Sequence, residues 1–341
     1  MSLRTVALLS LLTLTACGGS KSTGTGHNAG SGSGAEATDT GSGSAEDTRS
    51  GSAEDTTADT TPPTWPAGTP ARIGGARPAK VNHPRAFTPG KAYPLVILLH
   101  GYGASGLAQD LYLGLSTLGT TEFDLITVIP DGTLNSNSQR YWNASAACCA
   151  FSEPNPPDDV AYIRSLIEEA KATLPIDAGR VYLFGHSNGG FMSYRMACEA
   201  SEAFTAFVSL AGADSYADAD CPSTTTPVSG LQMHGDLDDT IAYTGATSGP
   251  LGIGAYAGAL ASATNIARRG GCSESGVAGA DLDLISNIDG AETTTLTFTA
   301  GCTAGVDAAL WTLRGGSHIP VINPAGTRAA LSWLLQHDRT P

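Results

Sequence analysis

The chain alternates between short apolar runs and longer stretches in which apolar residues return every three to four positions. Residues 95–99 form an uninterrupted apolar run of the length typical of a buried strand in a parallel sheet. Similar runs lie at 125–129, 181–184, 207–210, 231–233 and 310–313, and helical periodicity lies at 158–170, 188–200 and 326–336. Strands that alternate with helices predict an α/β fold, with a mostly parallel central sheet covered by helices on both faces.

The first 66 residues lack this alternation. Arg4 precedes an apolar run over 6–14 that is too short to cross a bilayer, and small residues then lead to Cys17. This pattern resembles a bacterial lipoprotein signal, in which the cysteine receives the lipid. Residues 18–66 are rich in Gly, Ser, Thr, Asp and Glu and cannot bury enough apolar surface to fold. We therefore predict a signal peptide over 1–17, a disordered tether over 18–66 and one folded α/β domain over 67–341.

Charge and cysteine content limit the partners of the chain. A formal net charge of −14 argues against binding to nucleic acid or to an anionic membrane surface. Seven cysteines leave six once Cys17 is set aside, and an even set in an exported protein indicates disulfides. Their spacing does not fit a zinc site, so we expect neither a metal nor another cofactor. We expect a monomer that meets the membrane only through its lipid, on the outside of the cell membrane or in the outer membrane, or that is secreted.

One serine has the surroundings of an enzymatic nucleophile. Ser187 is the centre of Gly185-His186-Ser187-Asn188-Gly189, which follows an apolar run and opens a helical stretch. This is the G-x-S-x-G turn, in which a strained backbone needs glycine two residues to either side. Among the serines of the chain, Ser187 alone has glycine at both positions.

A serine hydroxyl needs a histidine base to act as a nucleophile. His318 follows the last predicted strand in Gly315-Gly316-Ser317-His318 and has the position that the chain order serine, acid, histidine requires. We therefore predict His318 as the base. The other histidines lie in the tether, in the terminal helix, before the first strand, or beside glycines in strand-end turns, where we interpret them as scaffold residues: His27, His337, His83, His100, His186 and His234.

The acid that orients the histidine should lie between Ser187 and His318, after a strand. Asp238 in the segment His234-Gly235-Asp236-Leu237-Asp238-Asp239 is our choice, Asp239 is the reserve and Asp214 is a third candidate. A calcium loop does not fit this segment, because the required glycine and distal glutamate are missing.

Two backbone N–H groups are needed to stabilise an oxyanion. We predict that they belong to Asn188, directly after the nucleophile, and to Tyr102, in the turn after the first apolar strand. Trp142 and Phe151 are predicted to flank the site with flat apolar surface for a substrate.

Several of these segments together resemble the extracellular esterases grouped with polyhydroxybutyrate depolymerases and with feruloyl or acetylxylan esterases. The resemblance runs from about Tyr93 to His318. It implies the α/β-hydrolase fold, hydrolysis of esters, Asp238 as the acid, and a disulfide between Cys272 and Cys302. Two departures concern the substrate mouth and the sheet edge: Ile319-Pro320 stand where many relatives have a tryptophan, and 71–92 lacks a tyrosine-rich first strand. The motifs are 98–101, Pro130-Asp131-Gly132, Trp142-Asn143 with Cys148-Cys149, Asp158-Asp159-Val160, 185–190, His234-Gly235 with Asp238 and Tyr243, and 315–318.

The sequence thus predicts a serine carboxylic-ester hydrolase that works through an acyl-enzyme. Its expected substrates are short-chain or aromatic acyl esters of polysaccharide, or a polyhydroxyalkanoate-type polyester. A serine peptidase or lipase on the same fold is one alternative. A surface-binding protein without activity is another, although an intact serine, histidine and acid set argues against it.

Overall fold

The computed structural model describes residues 64–149, 153–215, 221, 226–248 and 254–339. The predicted signal peptide, nearly all of the tether, Cys17 and Phe151 lie outside these residues. No helix in the described ranges is both long and apolar enough to cross a membrane.

The strands are β1 (Arg72–Ile73), β2 (Ala79–Asn82), β3 (Tyr93–Leu99), β4 (Ile126–Ile129), β5 (Thr133–Leu134), β6 (Arg140–Tyr141), β7 (Ile176–His186), β8 (Ala206–Leu210), β9 (Ser229–Gly235), β10 (Gly245–Ala246), β11 (Tyr256–Ala257), β12 (Val277–Ala278), β13 (Thr293–Phe298) and β14 (Ala308–Leu313). The α-helices are α1 (Gly106–Leu113), α2 (Leu115–Glu122), α3 (Asp159–Thr173), α4 (Asn188–Glu199), α5 (Ala259–Arg269) and α6 (Pro324–Leu334), and a 3₁₀ turn covers Ser201–Ala203.

A ten-stranded sheet in the order β1-β2-β4-β3-β7-β8-β9-β14-β13-β12 forms the centre of the domain. The strands from β4 to β14 in this order run parallel to one another. Antiparallel strands extend the sheet at both ends. The prediction of a mostly parallel sheet is therefore confirmed, and the carboxyl ends of its parallel strands meet along one edge, where ligands of α/β proteins bind.

Strand β3 shows why the sheet is covered on both faces. All seven of its side chains are buried, and they alternate between two apolar clusters. Tyr93, Leu95, Ile97 and Leu99 pack in the cluster that contains the buried faces of α3, α4 and α5. Val96 and Leu98 pack in the other, with residues of α1, α2 and α6. A continuous apolar run is what a strand with no solvent-facing side needs.

The helices begin where short polar side chains can accept hydrogen bonds from the first free N–H groups. Asp158 caps α3 by accepting from the N–H of Ala161, and Asn323 caps α6 by accepting from that of Gly326. The apolar face predicted for the first of these helices is buried as expected, at Val160, Ile163, Leu166, Ile167 and Ala170.

Several elements were not predicted. Helices α1 and α2 are short, are separated only by Gly114 in a left-handed conformation, and carry a weak apolar pattern. Helix α5 is rich in alanine, and β13 is a threonine-rich antiparallel strand. Segment 71–92 contributes only the short β1 and β2, with β2 antiparallel to β4.

All six cysteines of the folded region are paired. Cys272 is bonded to Cys302, as the resemblance implies. The pairings that the sequence left open are Cys148 with Cys149 and Cys198 with Cys221.

Candidate active site

Ser187 occupies the sharp turn between β7 and α4. Its φ of 53° lies in the left-handed region, which is uncommon for a residue with a side chain. A Cβ on Gly185 would collide with the carbonyl of Gly189, and one on Gly189 would collide with that of Leu99. The two glycines are therefore required by close backbone packing, as the motif predicts, and the turn presents the serine at the carboxyl edge of the sheet.

A continuous line of hydrogen bonds joins three side chains at this edge. The Nε2 atom of His318 lies 2.9 Å from Oγ of Ser187, and its Nδ1 atom lies 2.8 Å from Oδ2 of Asp238. Ser187, Asp238 and His318 follow the parallel strands β7, β9 and β14, so the sheet brings together residues far apart in the sequence. The Asp238 side chain is fully buried, whereas that of His318 is 14% exposed and can be reached from solvent.

The environment of Asp238 favours its ionised form. Its Oδ1 atom accepts from the N–H groups of Thr240 and Ile241 at 2.9 and 2.8 Å. Its Oδ2 atom also lies 3.2 Å from Nε2 of His234. Burial alone would raise the pKa of this carboxyl, but the hydrogen bonds from His234, His318 and Ile241 together hold the pKa well below its ordinary value.

The other candidate acids have different partners. Asp239 is exposed and bonds to the hydroxyl of Thr240. Asp214 is buried but pairs with Arg269 at 2.8 Å and accepts from Asn265 at 3.0 Å. Of the three carboxylates, all within the described residues, Asp238 is the one bonded to His318.

Two further histidines lie beside the serine and serve the scaffold. Burial lowers the pKa of His100 to about 4 and that of His186 to about 4, so both rings are neutral near pH 7. His100 accepts from the N–H of Gly132 at 2.8 Å and thereby ties the turn after β3 to the turn after β4. His186 lies 3.2 Å from the carbonyl oxygen of His318 and 3.1 Å from Oε1 of Gln109. Gln109 lies on α1, which carried no recognisable sequence signal.

The predicted oxyanion turn packs directly on the nucleophile. A Cβ on Gly101 would lie 3.3 Å from Cβ of Ser187 and 3.3 Å from Nδ1 of His186. Tyr102 follows Gly101, and its hydroxyl accepts from the side-chain amide of Asn135 at 2.8 Å. Asn188 opens α4, where the first N–H groups of a helix have no carbonyl partner inside the helix. Both predicted donors thus belong to segments that adjoin Ser187.

The prediction that Trp142 forms part of the substrate surface is wrong. Its ring is fully buried, and its indole N–H donates to the carbonyl of His100 at 3.0 Å. Its backbone N–H and C=O both bond to the side-chain amide of Asn188, at 2.7 and 2.9 Å. Trp142 therefore supports the nucleophile turn from the core, and its buried ring offers no flat surface to a substrate.

An ion pair that the sequence did not indicate holds the Trp142-Asn143 segment against the start of α3. Arg77 bonds to the buried carboxylate of Asp159 at 2.7 Å, and Asp159 also accepts from the N–H of Asn143 at 2.8 Å. The guanidinium of Arg77 stacks 3.9 Å from the ring centroid of Tyr162. The Asp158-Asp159-Val160 and Trp142-Asn143 motifs are thus parts of one brace, and Arg77 was missed because its partner is 82 residues away.

Among the described residues, no group of three or more His, Cys, Asp or Glu side chains is arranged to hold a metal ion. The chemistry that the site can perform is that of an activated serine: attack by Oγ on an electrophilic carbon, with proton transfer through His318.

Comparison with known proteins agrees with this geometry. The Esterase family model matches residues 71–234, a span that includes the Ser187 turn. Feruloyl esterase B of Piromyces equi is 26% identical over 249 residues, which are 70% of this chain and 42% of that protein. Poly(3-hydroxyalkanoate) depolymerase C of Paucimonas lemoignei is 30% identical over 123 residues, which are 35% of this chain and 28% of that protein. The chain spans about half the length, or less, of the curated relatives that it matches.

The solved structure of the acetyl xylan esterase from Aspergillus awamori has the same fold, with a TM-score of 0.53 at 13% identity. The match covers 78% of this chain and 98% of that one. Fold and site together define the class: an α/β-hydrolase fold whose carboxyl edge carries a hydrogen-bonded set of serine, histidine and aspartate. Within this class the chain resembles the esterases, and the resemblance drawn from the motifs is confirmed.

Proposed function

We propose that this protein is an extracytoplasmic carboxylic-ester hydrolase that works through an acyl-enzyme on Ser187. The observation that carries the proposal is the unbroken line of hydrogen bonds from Asp238 through His318 to Ser187. Such a line lets the imidazole take the serine proton while the carboxylate stabilises the cation that forms.

The steps follow from the positions of the atoms. Oγ of Ser187 attacks the ester carbonyl carbon as Nε2 of His318 removes its proton, and the oxyanion is stabilised by the N–H groups of Asn188 and Tyr102. His318 then donates this proton to the departing alcohol, which leaves the acyl group on Ser187. Water attacks the acyl-enzyme with His318 again as base, the acid is released, and the serine regains its proton.

The proposed substrates are short-chain or aromatic acyl esters of a polymer, either a polysaccharide or a polyhydroxyalkanoate-type polyester. The names of the relatives support both polymer classes. A polyester is favoured by exposed apolar side chains near the site. Ile319 and Val321 lie one and three residues after His318. Leu107 and Leu111 lie on α1, which contacts the same loop through the bond from the Tyr112 hydroxyl to the Pro320 carbonyl at 2.6 Å. A hydrophobic polymer could contact these side chains without entering a deep cavity.

The location is part of the same proposal. The pairing of all six cysteines in the folded region supports an oxidising compartment. The segment that leads to Cys17 supports a lipid anchor, and residues 18–66 would let the domain search a nearby surface for a substrate too large to import. A Cys17→Ser variant should leave the membrane fraction, and its retention there would contradict the anchor.

The activity is tested by labelling the purified protein with a fluorophosphonate and then assaying a panel of esters. We expect labelling of the wild type and not of Ser187→Ala, together with rapid cleavage of acetyl, butyryl and feruloyl esters. If short-chain and aromatic esters are the substrates, acyl chains beyond about ten carbons should react poorly. Absence of labelling would support a binding protein, and a preference for long-chain triglyceride would support a lipase.

The two polymer classes are separated by a surface variant. Leu107→Ser with Leu111→Ser should slow the release of soluble products from a poly(3-hydroxybutyrate) film and leave hydrolysis of p-nitrophenyl acetate unchanged. If acetylated or feruloylated xylan is the better polymer and the variant affects neither substrate, the polyester alternative is wrong.

A further inference from the structure

A second buried histidine lies close to the same carboxylate oxygen of the acid that His318 contacts. His234 lies near the end of β9 with its side chain 1% exposed, and its Nε2 atom is 3.2 Å from Oδ2 of Asp238. The same nitrogen lies 2.8 Å from the carbonyl oxygen of Ile241. Oδ2 of Asp238 therefore lies between two imidazoles, Nδ1 of His318 at 2.8 Å and Nε2 of His234.

The neighbours of His234 determine which of its nitrogens carries the proton. The side-chain nitrogen of Gln232 lies 2.7 Å from the carbonyl oxygen of Gly212 and 2.9 Å from Nδ1 of His234. A carbonyl oxygen only accepts, so the amide nitrogen must face it, and the second hydrogen of that amide then points at Nδ1. The oxygen end of the amide is held by the hydroxyl of Tyr194 at 2.8 Å, which fixes the orientation of Gln232.

Because Nδ1 of His234 accepts a hydrogen bond, the proton of the neutral ring must be on Nε2. There it points towards Asp238 and the carbonyl of Ile241. The amide of Gln232 thus fixes the tautomer of the neutral His234 ring, with Nε2 as its donor.

We infer that His234 is a positioning residue for the proposed esterase: fixed by Gln232 and Tyr194, it donates a hydrogen bond to Asp238 and holds that carboxylate towards His318. The inference rests on the proposed function. Without this bond, Oδ2 would be oriented less firmly, and the carboxylate, still held beside His318 by Thr240 and Ile241, would have one donor fewer to offset its negative charge. Polar groups of neighbouring elements surround His234 and Asp238. Tyr194 of α4 and Gln232 of β9 are two of them. The ring centroid of Tyr243 lies 5.7 Å from that of His234, and the Tyr243 hydroxyl bonds to Thr312 of β14.

A matched pair of substitutions separates positioning from packing. A glutamine can extend its amide nitrogen to about the position of the histidine Nε2 atom, whereas the shorter asparagine reaches only the position of Nδ1. His234→Gln should therefore retain the bond to Asp238, and His234→Asn should lose it. We expect kcat to fall about tenfold in His234→Asn and to stay within about threefold of wild type in His234→Gln, with KM nearly unchanged in both.

The pH profile provides a readout that a purely structural role would not move. The acid limb of kcat/KM should shift to higher pH by about half a unit in His234→Asn, because a carboxylate that has lost one donor stabilises the His318 cation more strongly. Tyr243→Phe, which removes a hydroxyl beside His234 but not the bond to Asp238, should keep the wild-type profile. Gln232→Met, which frees Nδ1 of His234, should give a smaller shift in the same direction and replaces His234→Asn if that variant does not fold.

Proton NMR tests the positioning without any assay of turnover. The Nδ1 proton of His318 should give a downfield resonance in wild type and His234→Gln that broadens or moves in His234→Asn. Equal losses of kcat in the two variants, wild-type values in both, or an unchanged His318 resonance in His234→Asn would overturn the inference. If the wild type cleaves no ester while the resonance responds as expected, the proposed function fails and the positioning role stands.

Discussion

The two sides of the candidate site are held in place by different forces. On the acid side, Asp238 is fixed by polar contacts with Thr240, Ile241 and His234, all in a buried environment. On the nucleophile side, Ser187 is fixed mainly by close packing, in which Gly185 and Gly189 leave no space for a Cβ and Gly101 leaves little.

The difference follows from what each residue must do. A buried carboxylate would be protonated or displaced unless hydrogen bonds offset the cost of removing it from water. A serine hydroxyl is uncharged, so its burial needs no such compensation. Its oxygen must instead lie at a defined point beside two N–H groups, and a strained turn between a strand and a helix places it there. The acid side should therefore respond most to changes in hydrogen bonding, and the nucleophile side to changes in volume.

The largest effect is expected from Ser187→Ala, which removes the nucleophile and adds no volume. We predict a fall in kcat by roughly three to six orders of magnitude, as for triad losses in other serine hydrolases, with substrate binding nearly unchanged. Steady-state kinetics and binding of a non-hydrolysed analogue measure the two quantities. Wild-type turnover by this variant would exclude Ser187 as the nucleophile.

The acid side is tested by Asp238→Asn, which keeps the shape and changes the hydrogen bonding. The amide would present N–H groups to His318 or His234 and favour the wrong tautomer of His318, so we predict a fall in kcat of about 10⁴-fold. Asp239→Asn is the matched control, and its kinetics should equal those of wild type because Asp239 is exposed and bonds only to Thr240 in the described contacts. A reversed order of the two variants would assign the acid to Asp239.

The nucleophile side is tested by Gly101→Ala, which changes volume alone. The new methyl group would lie 3.3 Å from Cβ of Ser187 and from Nδ1 of His186, so a shift of a few tenths of an ångström is needed. We predict a fall in kcat of about tenfold to a hundredfold, the range expected when a reacting atom is slightly misplaced. Gly119→Ala is the matched control, because its Cβ would also have its nearest contacts at 3.3 and 3.4 Å, with side chains of Thr127 and Leu125 that are not part of the site. Wild-type kinetics for Gly101→Ala would show that the turn tolerates volume after all.

The two sides also differ in how far the sequence could predict them. The G-x-S-x-G turn is local, so Ser187 and the packing of its glycines follow from five consecutive residues and the apolar run before them. For the acid, the sequence favoured Asp238 and kept Asp239 and Asp214 as alternatives, and the resemblance to a family supported Asp238. The support of that acid by Gln232 and Tyr194 depends on contacts between β9 and α4, which no local pattern encodes.

The same reasoning explains the wrong expectation for Trp142. A large aromatic residue near a site is equally compatible with a substrate surface and with core, and the choice depends on which side of it the chain covers. Here the side chains of Arg77 and Asn188 pack or bond against the Trp142 segment, and both lie more than forty residues away in sequence. Long apolar runs predicted the parallel strands well, because burial on both faces leaves a strong pattern, whereas the short helices α1 and α2 left none.

The smallest effect that still separates the two sides is the dependence of stability on pH. The pKa of Asp238 is lower in the folded protein than in the unfolded chain, so its ionisation stabilises the fold above the ordinary aspartate range near pH 4. This contribution is lost as the pH falls from about 4 towards the lower folded-state value. The free energy of unfolding of wild type should therefore exceed that of Asp238→Asn at pH 7, and the difference should shrink below about pH 4.

Urea unfolding of both proteins between pH 7 and pH 2 measures this difference, and substitution on the nucleophile side supplies the contrast. Gly101→Ala changes no ionisable group, so its loss of stability relative to wild type should be the same at each pH. If the difference in the free energy of unfolding between wild type and Asp238→Asn stayed constant across this range, the charge of Asp238 would contribute nothing to stability. The two sides of the site would then differ in geometry alone.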